Sequence, residues 1–173
     1  ITKQFLDHSE LKTYEDYQVE EYIQGNILHV DGLVSNGDLK VIVPSQYLGT
    51  CLDFANGHPL GSIQIPLSLE ILKFAKRTLN ATKIFNGAFH LELIQSHGEL
   101  FFLEIANRVG GADVVDTFER ATGIHLPSEE LKIYLSETPS VDNVTLSNQR
   151  GFYGWFVFPG HQLGSGSYQM TGH

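Results

Sequence analysis

Two glutamates in neighbouring β-type runs are the residues best suited to chemistry. Glu92 closes His90-Leu91-Glu92 in a run spanning 88–95, and Glu104 sits in Leu103-Glu104-Ile105-Ala106-Asn107-Arg108 at the end of the next, with Ser96-His97-Gly98-Glu99 between the runs. Strand alternation puts Ala88, His90, Glu92 and Ile94 on one face. A three-residue turn, His97 to Glu99, would set Glu92 directly opposite Glu104; a turn one residue longer would send the two to opposite faces and leave one merely solvated. Side chains paired in the first way have Cβ atoms about 4.5–5.5 Å apart, and like charges so placed repel, so a cation belongs between them. Carboxylate oxygens suit Mg2+ or Mn2+. Magnesium commonly takes one or two protein carboxylates and keeps its other positions for water and substrate phosphates, so the pair fits a metal that serves a nucleotide.

His29-Val30-Asp31 is the second pattern. In a strand His29 and Asp31 face the same way, and either could reach a ligand hydroxyl; a half-buried histidine satisfied by a neighbour is the other reading. His58, His90, His97 and His125 show no metal-ligand spacing with cysteine or with one another. The single cysteine, Cys51, cannot form an internal bridge, and no Ser-His-Asp or Cys-His constellation is present.

The elements that must position these residues are mostly strands. Residues 18–43 are β-type, with Val19, Tyr22 and Ile23 first, then 27–34 and 39–43, and Asn36-Gly37 between the last two runs signals a hairpin. The Gly-, Pro- and Asn-rich stretch 45–61 reads as a loop leading to an edge strand at 63–66. Over 68–80, Ile71, Leu72, Ala75 and Leu79 recur at helical spacing behind Ser68, a capping residue. Val114, Val115 and Phe118 predict a helix ending near Gly123, and Pro127 opens another through Leu131, Tyr134 and Leu135. A short polar helix is expected within 3–14, a polar connection over 137–150, and renewed β character at 152–158, with a loose or strand-like tail from 160.

With 173 residues and 42% hydrophobic content, the chain can bury a core without disulfides or a structural metal. A net charge of −9 with few bases leaves no basic patch for nucleic acid, and no apolar run is long enough to span a bilayer. The expected setting is a reducing, cytoplasmic one, without nucleic-acid or membrane partners.

Glu92 followed by Phe102-Leu103-Glu104-Ile105-Ala106-Asn107-Arg108-Val109-Gly110-Gly111 resembles the metal-binding end of ATP-grasp enzymes, and most of all bacterial amino-acid ligases. The resemblance implies that Glu92 and Glu104 bridge Mg2+ (or Mn2+) to the phosphates of ATP, and that Arg108, four residues after Glu104, steadies a phosphate or acyl phosphate. The alternative for Arg108 is a salt bridge to one of the glutamates. Many family members place Asn two residues after the second Glu; here that position is Ala106, with Asn107 one step later as the candidate third ligand. Val19-Glu20-Glu21-Tyr22-Ile23-Gln24-Gly25 is similar to the family's hinge strand, which implies adenine contacts from Glu20, Glu21, Tyr22 and Ile23. His29-Val30-Asp31 resembles the His-Val-Glu of biotin carboxylase-like members, which implies that His29 and Asp31 lie near the ribose.

The likeness covers residues 17–135 and implies an α+β fold, the carboxyl-terminal portion of an ATP-grasp domain with an antiparallel sheet and flanking helices. Residues 1–136 would form that partial domain, and 137–173 a linker and the start of a carboxyl-terminal β extension. The family's amino-terminal substrate domain and phosphate-binding lysines have no counterpart before Ile1, so a fragment of a longer enzyme is expected. The implied chemistry is ATP-driven activation of a carboxylate to an acyl phosphate, followed by attack of an amine, in a protein that could form a homodimer. The alternative is a non-catalytic module that holds nucleotide or metal without turnover.

Overall fold

The computed structural model describes residues 19–136, 141 and 151–160; the expected helix within 3–14, most of the connection at 137–150 and the tail beyond Gly160 lie outside the described residues. Six strands form one antiparallel sheet: β1 (Asn26–Ser35), β2 (Asp38–Leu48), β3 (Leu60–Gln64), β4 (Gly87–Ser96), β5 (Glu99–Ala106) and β6 (Gly154–Val157), in the order β5-β4-β1-β2-β3-β6. Helix α1 (Cys51–Ala55) follows β2, α2 (Leu69–Thr82) connects β3 to β4, and α3 (Val114–Thr122) and α4 (Leu126–Tyr134) follow β5.

Asn36-Gly37 makes the first hairpin as expected. Both residues have positive φ (53° and 81°), the backbone twist that matches a two-residue turn to its flanking strands. Strand β2 runs on through Pro44 to Leu48, beyond the boundary expected at Val43, and α1 occupies part of the expected loop. The reason is pairing: Tyr47 and Leu48 hydrogen-bond into a ladder with β3, which local composition does not reveal. β3 is not an edge strand either, because β6 covers it through Leu60↔Val157 and Ser62↔Trp155. The strand at the end of the described chain therefore belongs to the same sheet as the rest.

Helix α2 begins where Ser68 accepts a hydrogen bond from the Ile71 amide (3.2 Å) and ends at Lys83, whose φ of 58° is left-handed. Its Ile71, Ala75 and Leu79 pack on Leu28 and Val30 of β1, Ile42 of β2, and Phe89, Leu91 and Leu93 of β4, which share one face of the sheet. The opposite face meets α3 and α4 through Leu33, Val41, Val43, Ala88, Phe118 and Leu126. The result is a sheet between two helical layers, and along β1 the second face changes from apolar at Leu33 to polar at Asp31 and His29. No helix among the described residues is long and apolar enough to cross a membrane.

Candidate functional site

Glu92 and Glu104 are direct cross-strand partners. The expected turn is not what aligns them. Ser96 pairs with Glu99, so the turn is the two residues His97-Gly98, both at positive φ (50° and 84°). The register then slips by one between Leu93↔Phe102 and Glu92↔Glu104, leaving Leu103 as a bulge. A shorter turn and one bulged residue give the alignment that a three-residue turn would have given.

Behind Glu92 lies a buried polar chain contributed by four strands. His29 stands opposite Glu92, and Asp31 opposite His90, across β1 and β4. Asp31 accepts from both imidazoles, His29 Nδ1 at 2.6 Å on Oδ2 and His90 Nδ1 at 2.7 Å on Oδ1. Since His29 Nδ1 donates to a carboxylate, a neutral His29 accepts the Ser62 hydroxyl proton at Nε2, 2.6 Å away. His90 Nε2 lies 3.3 Å from Glu92 Oε1, and the Tyr47 hydroxyl donates to the same oxygen at 2.9 Å. The Tyr47 ring packs on His29 (centroids 4.6 Å apart) and meets Trp155 of β6 edge-on at 6.3 Å.

Charge follows from this inventory. His90 contacts carboxylates on both sides, and a carboxylate only accepts, so both of its nitrogens must carry protons. Burial pulls its pKa down, but the bonds to Asp31 and Glu92 and their negative charges prevail and raise it to about 9. Burial likewise works against ionisation of Asp31 and Glu92, yet the histidine partners, joined at Glu92 by Tyr47, hold both carboxyls below their ordinary values. Burial and the Glu92 carboxylate push the Tyr47 phenol up, so it stays a donor. Cys51, at the start of α1, has its thiol raised by burial and by the charges of Glu92 and Glu104.

The loop after β5 closes over this chain. A Cβ at Gly110 would lie 2.7 Å from Asp31 Oδ1 and 2.9 Å from His90 Nδ1, whereas one at Gly111 would meet nothing within 4 Å. Only a residue without a side chain lets the loop approach the Asp31–His90 bond so closely.

No protein-family model matches the chain. Over 144 residues it is 31% identical to the L-arginine-specific L-amino acid ligase of Bacillus subtilis, an alignment taking in 81% of this chain and 34% of that protein. Among solved structures, phosphoribosylglycinamide synthetase from Anaerococcus prevotii superposes with a TM-score of 0.62 at 20% identity, over 76% of this chain and 34% of that one. The L-amino acid ligase from Bacillus licheniformis gives 0.57 at 22% identity, over 71% and 34%.

The chain carries part of an ATP-grasp fold. It spans about a third of the length of the relatives it matches.

Within this ATP-grasp portion the other expected site residues are placed as follows. Glu20, Glu21, Tyr22 and Ile23 precede β1 and form no strand; the sheet begins at Asn26, because none of these residues has a ladder partner. Tyr22 is 75% exposed. Where this segment joins the sheet, Gln24, Gly25, Asn26, Gln95, Ser96 and His97 line an open hollow of about 360 Å³, set along β4 from the carboxylates rather than on them. His29 and Asp31 are buried (1% and 2% exposed), with their polar atoms turned to Ser62, His90 and each other. The Asn107 amide nitrogen donates to the carbonyls of Asn86 and Ala88 (3.1 and 2.8 Å), tying the end of β5 to the start of β4. Arg108 is exposed, and its Nη1 donates to the Val109 carbonyl at 2.9 Å; among the described residues it forms no ion pair with Glu92 or Glu104. Tyr47, Ser62 and the bonding role of His90 were not anticipated. One signal was there: His90-x-Glu92 repeats the i, i+2 spacing of His29-x-Asp31, and two such pairs on antiparallel neighbours fall on one face.

Proposed function

We propose that this chain holds the nucleotide-bound cation of an ATP-dependent ligase that joins a carboxylate to an amine, the carboxylate being activated as an acyl phosphate. The observation that carries the reading is the cross-strand pairing of Glu92 with Glu104. The donor set fits Mg2+ or Mn2+: all hard oxygens, with Glu92 Oε2 unbonded and Glu104 outside any ion pair among the described residues. When bound, such a cation neutralises charge between the β- and γ-phosphate oxygens. Arg108, exposed beyond the end of β5, offers a positive charge to a phosphate or acyl phosphate. Glu20, Glu21, Tyr22 and Ile23, ahead of β1 and outside the sheet, are the residues proposed to meet the adenine edge. The likeness to a ligase named for L-arginine supports amino acids as the substrate class, with L-arginine the first to screen.

The test is thermal unfolding with ADP, with and without Mg2+, beside the double variant Glu92→Gln, Glu104→Gln. Ligand at about 100 times its dissociation constant adds roughly 2.7 kcal/mol. A Mg2+-dependent shift lost in the variant supports the reading, and ADP release with candidate carboxylates and amines then identifies the reaction. Equal shifts in both proteins would remove the metal role of the two glutamates.

A further inference from the structure

The buried chain behind Glu92 ends on one atom. His90 and Tyr47 both bond Glu92 Oε1, at 3.3 and 2.9 Å, and Oε2 receives no bond from a described residue. His90 is fixed by Asp31, Asp31 by His29, and His29 by Ser62, through contacts of 2.7, 2.6 and 2.6 Å. Trp155 backs the Tyr47 ring. No buried side-chain polar atom among the described residues lacks a partner, so the chain is internally satisfied up to Glu92.

We infer that His29, Asp31, His90 and Tyr47 are positioning residues, which lock one oxygen of Glu92 and present the other to a divalent cation shared with Glu104. This rests on the metal reading above and adds what holds the ligand in place. A carboxylate fixed beforehand loses less side-chain freedom on binding, and partners behind a metal ligand set its orientation.

His29, Asp31 and His90 bring their ligand atoms within 4.8 Å of one another, which invites a rival reading as a metal cage of their own. The bonds argue otherwise. Both nitrogens of each imidazole are engaged, and the two oxygens of Asp31 serve different rings, so no lone pair converges on a shared point. A cation on the two Nδ1 atoms and Asp31 would have to displace the protons of both bonds that fix His29 and His90 to Asp31.

The experiment is titration of the whole chain with Mn2+ alone, following the paramagnetic resonance signal of the unbound ion. It compares wild type, Tyr47→Phe, Glu92→Gln and the double variant. Tyr47→Phe keeps the ring between His29 and Trp155 and removes only the hydroxyl, so it folds, as unfolding in chelator will verify. The expected result is roughly tenfold weaker Mn2+ binding in Tyr47→Phe, with no further loss when it is added to Glu92→Gln. Wild-type affinity in Tyr47→Phe while Glu92→Gln binds weakly would overturn the inference alone, as would an equal loss in both backgrounds. Wild-type affinity in Glu92→Gln would sink the metal reading, and the inference with it.

Discussion

Glu92 and Glu104 face each other across β4 and β5 because Leu103 is left without a partner. Without a cation, that alignment sets like charge against like. Glu104→Gln should therefore raise stability in chelator by up to about 1 kcal/mol and at the same time abolish stabilisation by Mg2+. Urea unfolding in both conditions measures the two effects together. A variant that is less stable in chelator would mean that the pair does not repel.

Gly110 and Gly111 should differ sharply. Gly110→Ala drives a methyl to 2.7 Å from Asp31 Oδ1 and 2.8 Å from Val114 Cγ1, atoms held by bonds or packing, and should cost about 1–3 kcal/mol. Gly111→Ala meets open space and should fall within about 0.5 kcal/mol of wild type. Denaturant midpoints at matched slope decide it, and equal effects would refute the close approach of the loop.

The stability of the metal-free protein should depend on pH through His90. Its folded pKa of about 9 exceeds the ordinary 6.5, so its contribution is complete below pH 6.5 and is lost as pH rises through 9. That loss is on the order of 3 kcal/mol. Asp31 and Glu92 act in the opposite sense: their lowered pKa values give stability that is present above the ordinary carboxyl range and lost in acid. Unfolding free energy in chelator should thus peak between about pH 5 and 6.5. His90→Gln should flatten the alkaline limb, and an unchanged limb would assign it elsewhere.

Cys51 offers a spectator's view of the carboxylates. It is the one cysteine of the sequence, and the charges of Glu92 and Glu104, after burial, hold its thiol up. Neutralising them favours the thiolate, which is the reactive form. Mg2+ should speed labelling by an aromatic disulfide at pH 8 by about threefold, and Glu104→Gln should be fast without the metal. A rate indifferent to Mg2+ in the wild type would argue that no cation sits between the glutamates.

Local chemistry explains which features were readable beforehand. Asn36-Gly37 carries its own turn, and Ser68 with Ile71, Ala75 and Leu79 carries both a helix start and its buried face. The pairing of Glu92 with Glu104 was anticipated through a turn length that the protein does not use, because a bulge at Leu103 leaves no mark in residue type. Tyr47 and Ser62 could not be found locally. Tyr47 lies past a proline in a stretch that reads as loop, and what places it in the site is distant in sequence: a ladder with β3, Glu92 under its hydroxyl and the ring of Trp155. Residues 19–25 show the converse error: β-type side chains without a neighbouring strand do not make a strand.

Glu104, Glu92, His29, Ser45 and Gln64 form one row across β5, β4, β1, β2 and β3, each paired to the next. The row is completed by one distant link, His29 to Glu92, since its other neighbours lie on strands adjacent in sequence, and closing that long loop is the slow part of building the sheet. A chain with one hairpin formed has two glutamates but nothing to aim them. Cation affinity in this protein would then double as a gauge of maturation, arriving last and vanishing first, and a refolding experiment followed by Mn2+ capture would time the moment at which the final strand locks.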